Sequence, residues 1–209
     1  DDEDTMSKIR FTEPNREILA RRDSIINDLT RLVDPAGLIT STDECRAYET
    51  DALTAYRKMP LAVVLPKTTE EVSAVLKYCH DTGVKVVPRG AGTSLAGGAI
   101  PSEDAVVLGL SKMNRVLAVN YDDRFIRVEA GVTNLSVTAV VAENGFFYAP
   151  DPSSQLACTI GGNIANNSGG AHCLKYGVTT NNLLGVRMVL IDGSIIDLGG
   201  DYLDSAGLD

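Results

Sequence analysis

Two glycine-rich stretches constrain this chain more than any other feature. The first, Pro88-Arg89-Gly90-Ala91-Gly92-Thr93-Ser94-Leu95-Ala96-Gly97-Gly98, directly follows the apolar run Val84-Lys85-Val86-Val87. The second runs from Asp151 to Gly177 and reads DPSSQLACTIGGNIANNSGGAHCLKYG. Glycine lets a backbone take positive φ and lets another group approach it closely. Each stretch is therefore either a set of turns or a place where something packs against bare backbone.

The first stretch matches neither common nucleotide loop. A GxxxxGK[ST] phosphate loop needs a lysine that is absent, and GxGxxG fails because Leu95 stands where the third glycine belongs. What remains is a strand running into a string of backbone N–H groups. Such a string binds an anion without a lysine, and the Thr93 and Ser94 hydroxyls add donors; a plain surface turn is the alternative. Arg89 either faces a phosphate or makes an ordinary salt bridge. In the second stretch Leu156, Ala157, Ile160, Ile164 and Ala165 are interleaved with the polar residues, which argues against a flexible linker. A buried irregular loop is expected, with its backbone satisfied by a polar ligand. Ser153, Ser154, Thr159, Asn163 and Asn167 supply further donors and acceptors. Two such loops in one domain suit an elongated ligand with a charged middle, such as a dinucleotide.

Periodicity places these loops. Asn15 to Val33 reads as one amphipathic helix that starts after Pro14 and ends at Asp34-Pro35. PLAVVLP is a buried strand, followed by a helix capped at Thr68 or Thr69 and stopped at Gly83, then the strand VKVVP. Leu61 to Pro88 is thus a strand–helix–strand unit, with the first glycine loop at a strand end where open α/β layers hold ligands. DAVVLGL and RVLAVNYDDRFIRVEAGV give two or three strands, the latter turning at Tyr121 to Asp123. TNLSVTAVVAENG is a helix capped by Thr133 and stopped at Gly145. Val186 to Ile191 and Ser194 to Leu198 form a hairpin about Asp192-Gly193. The fold class is α+β.

A net charge of −9 without a Lys/Arg cluster excludes nucleic acid as a partner. No apolar run approaches the roughly 20 residues of a membrane span, and no signal peptide is evident, so the default compartment is the cytoplasm. The four cysteines show no CxxC and are expected as reduced thiols, with Cys158 and Cys173 as small core residues. His80 and His172 are too far apart in sequence to suggest a metal site, and none is expected. His80 reads as a surface or partly buried structural residue. Residues 1–13 are expected to be a disordered acidic tail, and the final DYLDSAGLD resembles neither a cap nor a strand.

PRGAGTSLAGGA, YAPDPSSQLACTIGGNIANNSGGAHCLKYG and VRMVLIDG together resemble the FAD-binding domain of the PCMH-type flavoproteins, the vanillyl-alcohol-oxidase superfamily. More narrowly, they resemble the group formed by the FAD-linked subunit of bacterial glycolate oxidase and the FAD-dependent D-lactate and D-2-hydroxyglutarate dehydrogenases. The resemblance runs from about Tyr48 to the C-terminus. It implies two α+β subdomains, roughly 57–110 and 111–209, clasping FAD, with 14–56 as an N-terminal helix and lead-in. It implies that Pro88, Arg89, Gly90, Ala91, Gly92, Thr93 and Ser94 wrap the pyrophosphate. Pro152, Ser153, Ser154, Thr159, Gly161, Gly162, Asn163, Ala165, Asn166, Asn167 and Gly170 would line pyrophosphate and flavin, with Gly131 and Val132 on the same cavity.

The implied chemistry is hydride transfer from the carbon bearing the 2-hydroxyl of a small 2-hydroxy acid to flavin N5. Many members bond a histidine covalently to the flavin at the position of Thr93, so non-covalent FAD is implied here. Relatives continue into a further glycine-rich segment and a cap domain that holds the substrate carboxylate and the base. A chain truncated at its C-terminus, holding FAD weakly by itself, is therefore expected. His172 is the one catalytic candidate within the chain, against a structural role. Glycolate oxidase complexes suggest iron–sulfur and second FAD-domain subunits as partners and a place peripheral to the inner membrane. A non-catalytic flavin-binding or assembly module is the alternative reading.

Overall fold

The computed structural model describes residues 12–200, so most of the expected acidic tail and the terminal DYLDSAGLD lie outside the described residues. In chain order, helices α1 (Arg16–Ala20) and α2 (Arg22–Leu29) lead to strand β1 (Leu38–Ile39) and helix α3 (Thr42–Cys45). Strand β2 (Ala62–Val64), helix α4 (Thr69–Thr82) and strands β3 (Lys85–Arg89) and β4 (Ala105–Gly109) follow. The four strands form one sheet in the order β1-β2-β4-β3, parallel except for β1.

Strand β4 separates the two strands of the expected strand–helix–strand unit, with Val107 opposite both Val63 and Val87. Composition accounts for the order. Every residue of β2 and β4 is buried, as befits strands covered on both faces. β3 carries Lys85 and Pro88, and a proline without an N–H is tolerated at an edge.

Side chains alternate across this sheet. Ala62, Val64, Val106 and Leu108 face α2 and α4, packing with Ile25, Leu29, Val75 and Cys79. Val63 and Val107 face the other way, onto Cys45, Leu65 and Tyr48. Helix α4 matches its sequence signals. Thr68 Oγ1 accepts from the Glu71 N–H at 3.2 Å, and Gly83 closes the helix with φ +73°. Burial pushes the Cys79 thiol up to about 12, which leaves it inert.

The expected single helix over 15–33 is instead broken at Arg21. There Arg21 Nη1 donates to Thr82 O at 3.4 Å and Arg22 Nη2 to Thr40 O at 2.7 Å, tethers on two sides of the break. Ile18, Ile25, Leu29 and Val33 all enter the main core, so the N-terminal helices belong to the sheet they cover.

Further along, β5 (Val116–Asn120) and β6 (Phe125–Val128) form a hairpin, followed by helices α5 (Asn134–Val141), α6 (Ile160–Asn166) and α7 (Cys173–Tyr176). A second hairpin, β7 (Gly185–Val189) with β8 (Ile195–Gly199), ends the described residues. Its turn docks on α4: Ser73 Oγ donates to Gly193 O at 2.5 Å, Gly193 takes φ +85°, and a side chain there would sit 2.8 Å from Ser73 O. Val189 packs on the same core as α2 and α4. The whole is the expected mixture of helix and strand. Among the described residues no helix is long and apolar enough to cross a membrane.

Asp104, only 1% exposed, ties α1 to the sheet. It accepts from the Asn15 N–H at 2.9 Å and Ser102 Oγ at 2.6 Å, and pairs with Lys85 Nζ at 2.9 Å. Burial alone would raise its pKa, but these donors outweigh it and bring the group from 3.8 to about 2. The ionised form is thus favoured in the fold, worth about 2 kcal/mol. That stability is complete above the unfolded value of 3.8 and is lost as pH falls through about 2. Urea melts should show Asp104→Asn less stable by about 2 kcal/mol at neutral pH. The difference should shrink from pH 4 downward; a gap that stays constant to pH 2 would refute the assignment.

Candidate functional site

The first glycine stretch begins where the sheet ladder ends. Leu110 N–H donates to Arg89 O at 3.0 Å, and beyond it the chain leaves β3. Among the described residues, the backbone N–H groups of Gly90, Ala91, Gly92, Thr93, Ser94 and Leu95 meet no protein acceptor. Gly92 takes φ +73°, and Thr93 and Ser94 are half-buried. Pro88 and Ala91 are exposed. The loop then closes on itself, with Ala96 N–H donating to Ser94 Oγ at 3.2 Å and Ile100 N–H to Gly97 O at 3.2 Å.

Arg89 lies against the loop at Gly92. Its side chain turns inward: Nη1 donates to Thr50 O at 2.7 Å, and the guanidinium lies 5.5 Å from the Tyr48 ring centroid. Burial lowers its pKa, and nearby Asp51 and Tyr48 act in the opposite direction.

The second stretch is not the buried irregular loop that its glycines suggested. Its middle is the helix α6, and Leu156 and Leu174 are 78% and 99% exposed. Ala157 and Ala165 are exposed as well, and Ile160 and Ile164 are half-buried. A cap and close packing override the helix-breaking composition. Thr159 Oγ1 accepts from the Gly162 N–H at 3.2 Å, and Asn167 ends the helix in the left-handed region at φ +46°. Gly161 lies against Ala130, where a side chain would come within 2.8 Å of Ala130 Cβ.

The first amides of α6 are used inside the protein: Ile160 N–H donates to Val132 O and Gly161 N–H to Ala130 O, both at 2.8 Å. Gly131 and Val132 are thus part of the seat of α6. Gly131 N–H also donates to Met113 O at 2.8 Å, and a side chain there would run into the Leu110 carbonyl. For a ligand, α6 offers side chains in place of backbone. Asn163 stands out. It is 1% exposed, and neither Nδ2 nor Oδ1 has a partner among the described residues. An unpaired amide buried in this way is costly, unlike that of Asn134, which donates to Pro150 O at 3.0 Å.

The two stretches meet. A side chain at Gly90 would lie 2.6 Å from Thr159 Oγ1 and 3.7 Å from Gly162 Cα. Around that contact, Asn166 Nδ2 donates to Gly162 O and Asn167 Oδ1 accepts from the Thr180 N–H, each at 3.0 Å. Pro152 is buried, Ser153 exposed, and the Ser154 carbonyl accepts from the Ala157 and Cys158 N–H groups at 2.8 Å.

His172 is tied elsewhere. Its Nδ1 pairs with Asp151 Oδ2 at 2.5 Å and its N–H donates to Asp151 Oδ1 at 3.1 Å, while Gly170 folds bare backbone over Asp151. The backbone N–H of His172, with its ring, holds the Asp151 carboxyl below the usual carboxylate range against the opposing effect of burial. Cys158 is buried as expected, but Cys173 is exposed, since it opens the surface turn α7. All four cysteines are free thiols.

Sequence reasoning missed the residues beneath the first loop. Asp51 is 4% exposed; its Oδ1 accepts from the Leu53 N–H at 2.8 Å and its Oδ2 has no partner among the described residues. No motif marks Tyr48, Thr50 or Asp51. The only signal was that a half-buried arginine requires partners.

The profile of a family described as an FAD binding domain matches residues 60–199. The chain belongs to that family. Among curated relatives, glycolate oxidase subunit GlcD of Escherichia coli strain K12 is 48% identical over 90% of this chain. D-lactate dehydrogenase of Archaeoglobus fulgidus is 39% identical over 88%, and D-2-hydroxyglutarate dehydrogenase of Stutzerimonas stutzeri is 31% identical over 88%. The chain spans 38%, 40% and 39% of those relatives' lengths.

Solved members of the fold superpose well at low identity. Alkyldihydroxyacetonephosphate synthase gives a TM-score of 0.78 at 21% identity, covering 97% of this chain and 38% of that one. p-Cresol methylhydroxylase with substrate bound gives 0.73 at 20% identity, covering 92% and 38%.

The contact between the stretches yields a double-mutant test. Gly90→Ala should destabilise by about 1–3 kcal/mol through overpacking. Thr159→Ala should cost about 1 kcal/mol through the lost cap. Because Thr159→Ala removes the atom that Gly90→Ala strikes, urea melts of the double variant should show less than the sum; strict additivity would place the two residues apart.

Proposed function

We propose that this chain is the FAD-binding portion of an oxidoreductase that converts a small 2-hydroxy acid, of the glycolate or D-lactate type, to the 2-oxo acid. Membership of the FAD binding domain family and the names of the relatives support the cofactor and the substrate class. The observation that carries the site is the meeting of six backbone N–H groups, Gly90 to Leu95, with a helix that buries the amide of Asn163, all without a partner among the described residues. FAD fits both: a pyrophosphate suits a string of bare donors, and polar ring edges suit an amide that both donates and accepts. When bound, FAD supplies the two-electron acceptor.

The residues of this chain bind and orient. Gly90 to Ser94 receive the phosphates through backbone N–H groups, aided by the hydroxyls of Thr93 and Ser94. Asn163 reads the cofactor from α6. Gly131, Val132, Gly161 and Gly162 hold α6 against the loop. Thr93 has no nucleophilic nitrogen to bond the flavin, so the cofactor is held without a covalent link. Association with iron–sulfur subunits, and a cytoplasmic place peripheral to the inner membrane, rest on the family resemblance.

Asn163→Leu separates ligand binding from folding. The FAD-free variant should be as stable as the parent or more so, because the replaced amide has no partner to lose. Flavin fluorescence titration should show FAD binding at least tenfold weaker. Unchanged FAD affinity would remove Asn163 from the site. Acid precipitation of the FAD-loaded protein should release all flavin into the supernatant; flavin that stays with the pellet would contradict non-covalent binding. In a full-length protein that contains this chain, anaerobic glycolate or D-lactate should bleach the bound flavin, whereas persistent colour with both acids would favour a non-catalytic flavin-binding module.

A further inference from the structure

Among the described residues, the backbone N–H groups from Gly90 to Leu95 meet no protein acceptor, and Gly92 takes φ +73°. The floor of this loop is Arg89. A side chain at Gly92 would run into the Arg89 guanidinium, so the bare backbone at φ +73° rests directly on that group. The guanidinium is held from below by the Thr50 carbonyl at 2.7 Å and the Tyr48 ring at 5.5 Å. Asp51, almost fully buried and with one carboxylate oxygen unpartnered among the described residues, supplies the neighbouring negative charge. A planar cation bonded at one edge and stacked on one face has little freedom to swing outward.

We infer that Arg89 is a positioning residue for the FAD phosphate site: fixed by Tyr48 and Thr50 and balanced by Asp51, it holds Gly90 to Ser94 in the receiving conformation without touching the phosphate. The inference rests on the proposed reading of that loop as the phosphate site.

Arg89→Lys and Arg89→Met distinguish the roles. Lysine is a good point-charge partner for phosphate, but it reproduces neither the fork nor the stacked plane. A positioning role therefore predicts that both variants weaken FAD binding by a similar factor, about tenfold. A phosphate contact predicts that Arg89→Lys binds nearly as well as the parent and that Arg89→Met does not.

A readout without FAD accompanies this. Backbone 15N order parameters at Gly90 and Gly92 should fall from about 0.85 to below about 0.6 in both variants, while those of β2 and β4 stay rigid. Tyr48→Leu, which leaves every charge in place, should loosen the same two glycines, and it serves if an Arg89 variant fails to fold. Rigid glycines in all three variants would overturn the inference. If the unaltered protein keeps a rigid loop yet FAD gives no binding and no shift at Gly90 to Ser94, the phosphate reading falls, and the order parameters alone judge Arg89.

Discussion

Bare backbone at Gly90 sets how closely the edge strand β3 and helix α6 approach one another. No side chain intervenes, so the loop with free donors and the helix with the buried amide lie side by side. The same device recurs around the contact. Gly161 brings α6 onto Ala130, and Gly131 brings that segment onto Leu110 and Met113. Glycines in the first turn of a helix cost about 1 kcal/mol each relative to alanine. Here that cost is offset by backbone-to-backbone packing that a larger residue would prevent.

Three buried carboxylates and the half-buried Asp151 accept backbone N–H groups. Asp104 accepts the Asn15 N–H, Glu129 the Arg115 N–H, Asp51 the Leu53 N–H and Asp151 the His172 N–H. Asp104 and Glu129 also pair with a cationic side chain, respectively Lys85 and Arg115, and Asp151 meets the His172 ring. An ionised oxygen makes a stronger bond to an amide than a carbonyl does. An acidic chain thus uses part of its negative charge as structural acceptors within the fold.

What was legible in the sequence follows the range of each signal. Helix α4, with Thr68 before it and Gly83 after it, and the Asp192-Gly193 hairpin are fixed by neighbours in the chain, and both were readable. Insertion of β4 between β2 and β3 is a matter of which strand is most apolar on both faces, a comparison that no local window makes. The second glycine stretch misled because two adjacent glycines signal a loop by propensity, while the Thr159 cap and Ala130 behind the helix decide for α6. Asn163 was readable as polar, but not as unpaired, since pairing depends on what surrounds it in space. The partners of Arg89 were not readable for a related reason: Tyr48 and Thr50 lie upstream of any motif, in a region with no pattern of its own.

The seat of the second hairpin turn on α4 has a kinetic side. Ser73 and Gly193 are 120 residues apart, so the bond between them closes a very long loop. The hairpin itself can zip within about 1–10 μs, but its docking depends on a contact of high sequence separation, the slow kind. During synthesis at roughly 5–20 residues per second, the part of α4 around Ser73 emerges roughly ten seconds before its partner exists. Over that interval the Ser73 and Lys77 side of α4 stands without the turn that later seats on it.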